Sequence, residues 1–310
     1  MSNSSVYLSA SNFPIKLVKH IQEGRLYDKI RPLHLQYYPT NRCNLRCKYC
    51  SCDNRDKNLE MLLSEAIEMI NYFQRLGTKA ITLSGGGDPL MWGCLEPFLV
   101  ECKRLGIEIG IVSAYYKHES YSKMLNNYIT WSRMSITDKH VDVEQIIKFM
   151  PDVDVGFSYV VRNPDIEYLD SIIELSEKSD NVTHIRFTHD IMDNSEWGYM
   201  GYFEDRYKEN TKCLFQPRSE YNRGMHTCYI SKLKPLVDAK GDVYPCCGVQ
   251  YAQEDNDARD LSPEFKMCNW IDFHNSDFFN GSSCSRCYYN HYNELLNIIN
   301  KKNIKHLNFL

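Results

Sequence analysis

The chain has 310 residues, 43% of them apolar and 25% charged, with a net charge of −4 and a pI near 6.2. These values exclude a disordered chain and argue against broad phosphate neutralisation, so nucleic acid is the less expected partner. No apolar run approaches the ~20 residues that cross a bilayer, and the start Met-Ser-Asn-Ser-Ser lacks both regions of a secretory signal, so a cytoplasmic chain with no membrane partner is expected.

Residues 1–31 read as a short N-terminal extension with an amphipathic helix around Ile15 to Ile21, too short for a peptide-binding domain of its own. From Leu33 to Phe187 short β-rich runs alternate with helical patterns, the rhythm of βα units on a parallel sheet. Strands are predicted at Leu33 to Tyr38, Ala80 to Ser84, Ile107 to Ser113, Thr130 to Ile136, Val153 to Val161 and Thr183 to Thr188. Helices fall between them at Leu63 to Leu76, Leu95 to Leu105, Ser120 to Asn127, Val143 to Phe149 and Ile166 to Lys178. In the first of these, Ile67, Ile70 and Phe73 recur at helical spacing and Gly77 supplies a stop. The pattern gives six βα units over 32–190, an α/β chain whose sites belong at the C-terminal ends of the strands. Residues 191–225, with Trp197, Tyr199, Tyr202, Arg206 and Tyr207, read as an irregular linker or site cover. Residues 226–310 form a separate cysteine-rich unit ending in a helix.

The chemistry concentrates in Cys43, Cys47 and Cys50, three thiols on the loop that leaves the first strand. Three and then two residues separate them, and a disulfide framework would leave one over. Thiolates are the natural ligands of iron–sulfur clusters or zinc, and a structural zinc site usually closes with a fourth Cys or His from a second short-spaced pair. One βα unit later, Ser84-Gly85-Gly86-Gly87-Asp88-Pro89 forms a bend where missing side chains let the backbone approach a ligand.

Together these motifs resemble the radical S-adenosylmethionine (SAM) superfamily. The resemblance implies a partial (β/α)6 TIM-like barrel and a [4Fe-4S] cluster on Cys43, Cys47 and Cys50 whose open iron chelates SAM. It implies that one electron, from a flavodoxin- or ferredoxin-type donor, cleaves SAM to a 5'-deoxyadenosyl radical. Tyr49 fits the family's aromatic beside the adenine. Gly86, Gly87, Asp88 and Pro89 align with its Gly-Gly-Glu-Pro motif for the methionine ammonium, with an Asp one methylene shorter than the usual Glu. Ser113 and Ser135, at strand ends, match positions that reach the SAM ribose or carboxylate, and Arg186 is a candidate carboxylate partner; helix capping and a surface ion pair are their plain alternatives.

Further on stand Cys228, Cys246, Cys247, Cys284 and Cys287. Leu236 to Tyr244 reads as a hairpin turning at Lys240-Gly241, which brings its flanks together, and Cys284-Ser-Arg-Cys287 can aim two sulfurs at one metal. This set resembles the twitch domain, a shortened SPASM domain, and implies one auxiliary [4Fe-4S] cluster on Cys228, Cys246, Cys284 and Cys287. Asn293 stands where a full SPASM domain carries a further cysteine. Cys247 is the alternative to Cys246, and a zinc ribbon the alternative to the cluster. Cys94 and Cys102 suit small core positions, while Cys213 and Cys268 are candidate hydrogen donors.

The resemblance implies two [4Fe-4S] clusters, SAM, and hydrogen abstraction from a small metabolite, nucleotide or ribosomal peptide that ends in oxidation, crosslinking or epimerisation. A peptide substrate would call for a separate leader-binding protein. The alternative class is a non-catalytic zinc-stabilised or iron–sulfur electron-transfer protein, which has no need of the glycine bend.

Overall fold

In the computed structural model of the chain, residues 9–22, 30–114, 119–136, 141–162, 165–191, 193, 195, 198–216, 222–253 and 259–300 are described. The strands are β1 (His34–Tyr37), β2 (Ala80–Leu83), β3 (Glu108–Ser113), β4 (Trp131–Ile136), β5 (Asp154–Val161), β6 (Val182–His189), β7 (Cys213–Gln216), β8 (Leu236–Val237), β9 (Asp242–Tyr244) and β10 (Cys268–Asn269). The helices are α1 (Ser9–Gln22), α2 (Leu63–Leu76), α3 (Leu95–Arg104), α4 (Glu119–Tyr128), α5 (Val143–Phe149), α6 (Ile166–Glu177), α7 (Tyr199–Tyr207), α8 (Ile230–Leu233) and α9 (Asn290–Ile299).

One sheet contains all ten strands in the order β10-β9-β8-β1-β2-β3-β4-β5-β6-β7. Pairing is parallel from β8 through β1 to β7, and β9 and β10 run antiparallel at the far edge. The strand order is sequential from β1 to β7, as successive βα units produce, and among the described residues the end strands β7 and β10 do not pair with each other, so the barrel is partial.

Period-two alternation decides which face meets the helices. Leu35 and Tyr37 of β1, Ile81 and Leu83 of β2, Ile109 and Ile111 of β3, and Ile185 and Phe187 of β6 join one core with Met69, Ile70 and Phe73 of α2 and Phe98 and Leu99 of α3. Helix α2 ends where predicted, because Gly77 adopts φ 115° and its N–H closes back on the Phe73 and Gln74 carbonyls. On the opposite face stand polar groups. His34 hydrogen-bonds Thr82 at 2.7 Å, and Arg186 of β6 donates to Ser158 of β5 at 2.9 Å.

The segment 191–225, expected to be irregular, folds instead into α7 and the seventh parallel strand, β7. Met200, Phe203 and Tyr207 lie at helical spacing and are buried, and Phe187 stacks on Phe203, Tyr207 and Phe215 at 5.2, 5.7 and 5.3 Å. Trp197 lies outside the described residues.

The predicted hairpin is β8–β9, with Gly241 at φ 78° in its turn, but it is not a detached unit: β8 pairs with β1 and extends the barrel sheet. Beside it, Leu17 of α1, Ile230 and Leu233 of α8, and Tyr289, Tyr292 and Leu296 near or on α9 form a second core. Among the described residues no helix is long and apolar enough to cross a membrane.

Candidate active site

The cysteine loop leaves the C-terminal end of β1, and the glycine bend leaves the C-terminal end of β2, its parallel neighbour. Adjacent parallel strands must release their loops side by side, so the fold itself brings the two motifs together. Two backbone bonds lock them: Gly87 N donates to Thr40 O and Asp88 N to Arg42 O, both at 2.8 Å. A Cβ on Gly87 would lie 2.0 Å from the Arg42 carbonyl oxygen, and one on Gly86 1.9 Å from Asn41 Oδ1, so side chains are excluded there.

Within the loop, Cys50 N donates to Cys47 O at 3.0 Å, which folds the segment into a turn. Leu45 N donates to Cys43 Sγ and Cys52 N to Cys50 Sγ, each at 3.4 Å, the kind of amide support that thiolate ligands use. The hydrogen bond from Cys52 holds the Cys50 thiol below its ordinary range, whereas burial raises Cys43. Among the described residues no three His, Cys, Asp or Glu side chains are already drawn into a metal-holding group. The fit to a cluster therefore rests on the donor set, three half-buried thiols on one short loop with amides aimed at two of the sulfurs.

Asp88 is occupied. Its carboxylate accepts from Ser113 Oγ at 2.8 and 2.9 Å, from Ala114 N at 2.9 Å and from Leu90 N at 3.0 Å. It caps the turn Pro89–Met91 and ties the end of β2 to the end of β3. Asp88 and Ser113 thus meet each other, and what the bend turns toward a ligand is backbone. Arg55 is the opposite case. It is buried beneath Tyr38, with its guanidinium 5.4 Å from the ring centroid and Nε 2.8 Å from Asp260. Among the described residues neither of its Nη atoms has a hydrogen-bond partner, and Nη1 lies 2.9 Å from where a Gly86 Cβ would be. A buried arginine with two unused donors at a glycine bend suits an anionic ligand group.

Tyr49 faces Arg162, whose guanidinium lies 5.9 Å from the ring centroid and donates to buried Asp190 at 2.7 Å. These groups sit at the ends of β5 and β6, across the sheet from the glycine bend. Ser135, Ser158 and Arg186 lie side by side in register on β4, β5 and β6, and Arg186 also donates to Gln216 of β7 at 3.3 Å. Cys213 begins β7, opposite Ile185, in the apolar core, where burial pushes its thiol up to about 12. Cys268 lies on β10 at the far edge of the sheet, also raised by burial. Neither candidate hydrogen donor is brought to the strand ends that carry the cysteine loop.

The distal cysteines do converge. Cys228, Cys246, Cys284 and Cys287 line one enclosed cavity, and Cys247 does not. Cys247 turns the other way, with its N–H donating to Gln36 Oε1 at 3.0 Å and its sulfur 3.9 Å from Tyr289 OH. Burial raises Cys228 to about 11 and Cys284 to about 12, and Cys246 rises through burial and the neighbouring thiols. Four thiols around one cavity are the donor set that a metal ion or cluster would use, with loss of their protons on binding. Asn293 is buried beside them, donating to Cys228 Sγ at 3.7 Å and accepting from Ile230 N at 3.1 Å.

Asn41, Arg55, Arg162 and Gln250 were not singled out from the sequence. Arg55 carries a faint signal, a charge five residues past Cys50, while Gln250 has none because its partners lie about 200 residues away.

Comparison with known proteins agrees with the geometry. Residues 37–155 match the model of the Radical SAM superfamily. GTP 3',8-cyclase of Synechococcus sp. (strain CC9902) is 40% identical over 70 residues, 22% of this chain and 20% of that protein, so the match spans a fifth of the relative. Among solved structures, Streptococcus suis SuiB bound to precursor peptide SuiA aligns with a TM-score of 0.56 at 14% identity, over 93% of this chain and 77% of that one. SuiB bound to S-adenosylmethionine aligns at 0.54 and 15% identity, over 76% of this chain and 65% of that one. Native anSMEcpe with bound AdoMet and Kp18Cys peptide aligns at 0.54 and 14% identity, over 86% and 83%. The family implies a [4Fe-4S] cluster and SAM. Residues 37–155 are therefore a radical SAM domain, on a fold that SuiB and anSMEcpe share.

Proposed function

We propose that the chain takes a hydrogen atom from a peptide or small-molecule substrate after reductive SAM cleavage, and that it carries an auxiliary cluster. The observation that carries this is the pairing of the Cys43–Cys47–Cys50 loop with the Gly86–Asp88 bend at the ends of two adjacent parallel strands, inside the radical SAM domain. A four-iron cluster with SAM supplies, when bound, one-electron cleavage to a 5'-deoxyadenosyl radical.

The chain's own residues do the rest. Cys43, Cys47 and Cys50 would supply three thiolates to the cluster. An ammonium, which only donates, would be met by carbonyls of the bend, and Arg55 would offer donors to a carboxylate. Tyr49, backed by Arg162, would offer an aromatic face to the adenine, and Ser135 with Arg186 presents hydroxyl and guanidinium groups from β4 and β6. Cys228, Cys246, Cys284 and Cys287, which line one cavity, would hold the auxiliary cluster with four sulfurs, and full ligation would favour electron transfer or scaffolding over substrate ligation.

A peptide substrate is supported by SuiB and anSMEcpe, whose structures hold peptides, and a nucleotide by GTP 3',8-cyclase. Anaerobic purification with iron and sulfide analysis, followed by SAM and dithionite, tests the proposal. About eight irons per chain and 5'-deoxyadenosine are expected, and Cys47→Ala should form no 5'-deoxyadenosine and keep about four auxiliary irons. A zinc-loaded chain giving no 5'-deoxyadenosine would establish the structural-metal alternative instead.

A further inference from the structure

One buried side chain, Gln250, bridges the loop that carries the first cysteine set and the turn that follows Cys246. Gln250 lies in the short 3-10 turn Cys247–Tyr251 and is 6% exposed. Its Oε1 is 2.9 Å from both Ser51 Oγ and Cys52 Sγ, on the residues directly after Cys50. Its Nε2 donates to Tyr38 OH at 2.5 Å and to the Cys247 carbonyl at 3.1 Å. Because a carbonyl can only accept, Nε2 must face Cys247, and the amide oxygen is thereby aimed at Ser51 and Cys52. Every hydrogen-bonding valence of the carboxamide is used. Cys52 Sγ also lies 3.5 Å from the Gly85 carbonyl, so the same knot reaches the glycine bend.

The contact is one of several made by a single C-terminal stretch. Arg259 O accepts from Asn54 N at 3.4 Å, Arg259 Nη1 donates to Lys48 O at 3.3 Å, and Asp260 pairs with Arg55. Arg259 has φ 47°, alone among the described non-glycine residues in being positive, so backbone strain sits at this clamp.

We infer that Gln250 is a positioning residue through which the C-terminal cysteine turn fixes the loop of Cys43, Cys47 and Cys50 and sets the surroundings of its cluster. Thiolate-bound clusters respond to nearby hydrogen bonds and to loop geometry, and Gln250 supplies both from a part of the chain that also carries Cys246. The electronic half of this inference rests on the radical SAM reading; the mechanical half does not.

The experiment compares the full-length wild type with Gln250→Met, Gln250→Glu and Ser51→Ala. Hydrogen exchange read by mass spectrometry on the cluster-free chains reports the loop, and the EPR signal and midpoint potential after reconstitution with iron and sulfide report the cluster. The first cluster's signal is assigned by its loss in Cys43→Ala/Cys47→Ala/Cys50→Ala. Gln250→Met should raise exchange of amides 50–55 about tenfold, leave α3 and α6 unchanged, and shift the first cluster's signal. Gln250→Glu keeps the acceptors toward Ser51 and Cys52 and loses the donors, so it should fall between. Ser51→Ala leaves the C-terminal stretch intact and should move exchange in the same direction, which decides the matter if Gln250→Met does not fold. Unchanged exchange at 50–55, or a uniform rise with an unchanged cluster signal, overturns the inference. A wild type that binds no iron overturns the radical SAM reading, and exchange alone then decides the bridge.

Discussion

Ser113 Oγ lies 2.8 and 2.9 Å from the two carboxylate oxygens of Asp88, so the acid of the glycine bend is a strut between β2 and β3. The shorter Asp explains the arrangement: it draws the bend against the end of β3, where Ala114 N adds a third donor.

Removing the hydroxyl should therefore act on the fold before it acts on the ligand. Ser113→Ala leaves a buried carboxylate short of a donor and should cost about 1.5–3 kcal/mol in chemical denaturation. Asp88→Glu inserts a methylene into a saturated buried site and should also destabilise, although Glu is the commoner family residue. An Asp88→Glu chain as stable as wild type would show that the strut is dispensable.

Arg55 leads to a prediction about affinity. Arg55→Met keeps an unbranched apolar side chain at this buried position and removes the guanidinium that lies over Tyr38, and it should weaken SAM binding about tenfold. The same variant should lose the wild type's preference for SAM over its decarboxylated analogue. Isothermal titration with both ligands measures this, and equal losses for the two would exclude carboxylate recognition by Arg55.

Much of this architecture was legible in the sequence because it is local. Ile67, Ile70 and Phe73 with Gly77 marked α2, and the cysteine spacing and glycine bend marked two loops that parallel pairing brings together. Helix α7 and β7 were missed because aromatic and charged residues masked the spacing of Met200, Phe203 and Tyr207. The pairing of β8 with β1, and the contact of Gln250 with Ser51 and Cys52, join residues about 200 positions apart. No local pattern encodes such contacts, since they follow from how finished elements pack.

His184 makes stability fall on mild acidification. It packs against Gly156 of β5, with Thr183 Oγ1 3.0 Å from its Nδ1, and burial first, then Arg133 of β4 and Arg186 of β6, lower it to about 3. The unfolded chain takes up a proton below about 6.5 that the folded chain refuses, so stability is lost as pH falls from there toward 3. At pH 5 the loss from this group is about 2 kcal/mol, 1.5 pH units at about 1.36 kcal/mol each. Denaturation of wild type and His184→Gln at pH 7 and pH 5 should show the variant losing less by that amount. Parallel losses in the two proteins would remove His184 as the cause.

The adjacent cysteines of the C-terminal turn should separate cleanly. Successive side chains of an extended segment face opposite ways, and Cys246 has φ −173° and ψ 171°. Cys246 accordingly faces the cavity of Cys228, Cys284 and Cys287, while Cys247 faces Tyr289, which also takes a hydrogen bond from buried Lys234 at 3.4 Å. Cys246→Ala should lower the iron content by about four per chain and open Cys228, Cys284 and Cys287 to alkylation. Cys247→Ala should keep the full iron content, because its thiol lies 3.9 Å from Tyr289 and does not line the cavity of the other four cysteines. Iron analysis with thiol labelling reads both outcomes. The reverse pattern would make Cys247 the ligand and require the 3-10 turn to rotate, breaking the bond from Cys247 N to Gln36.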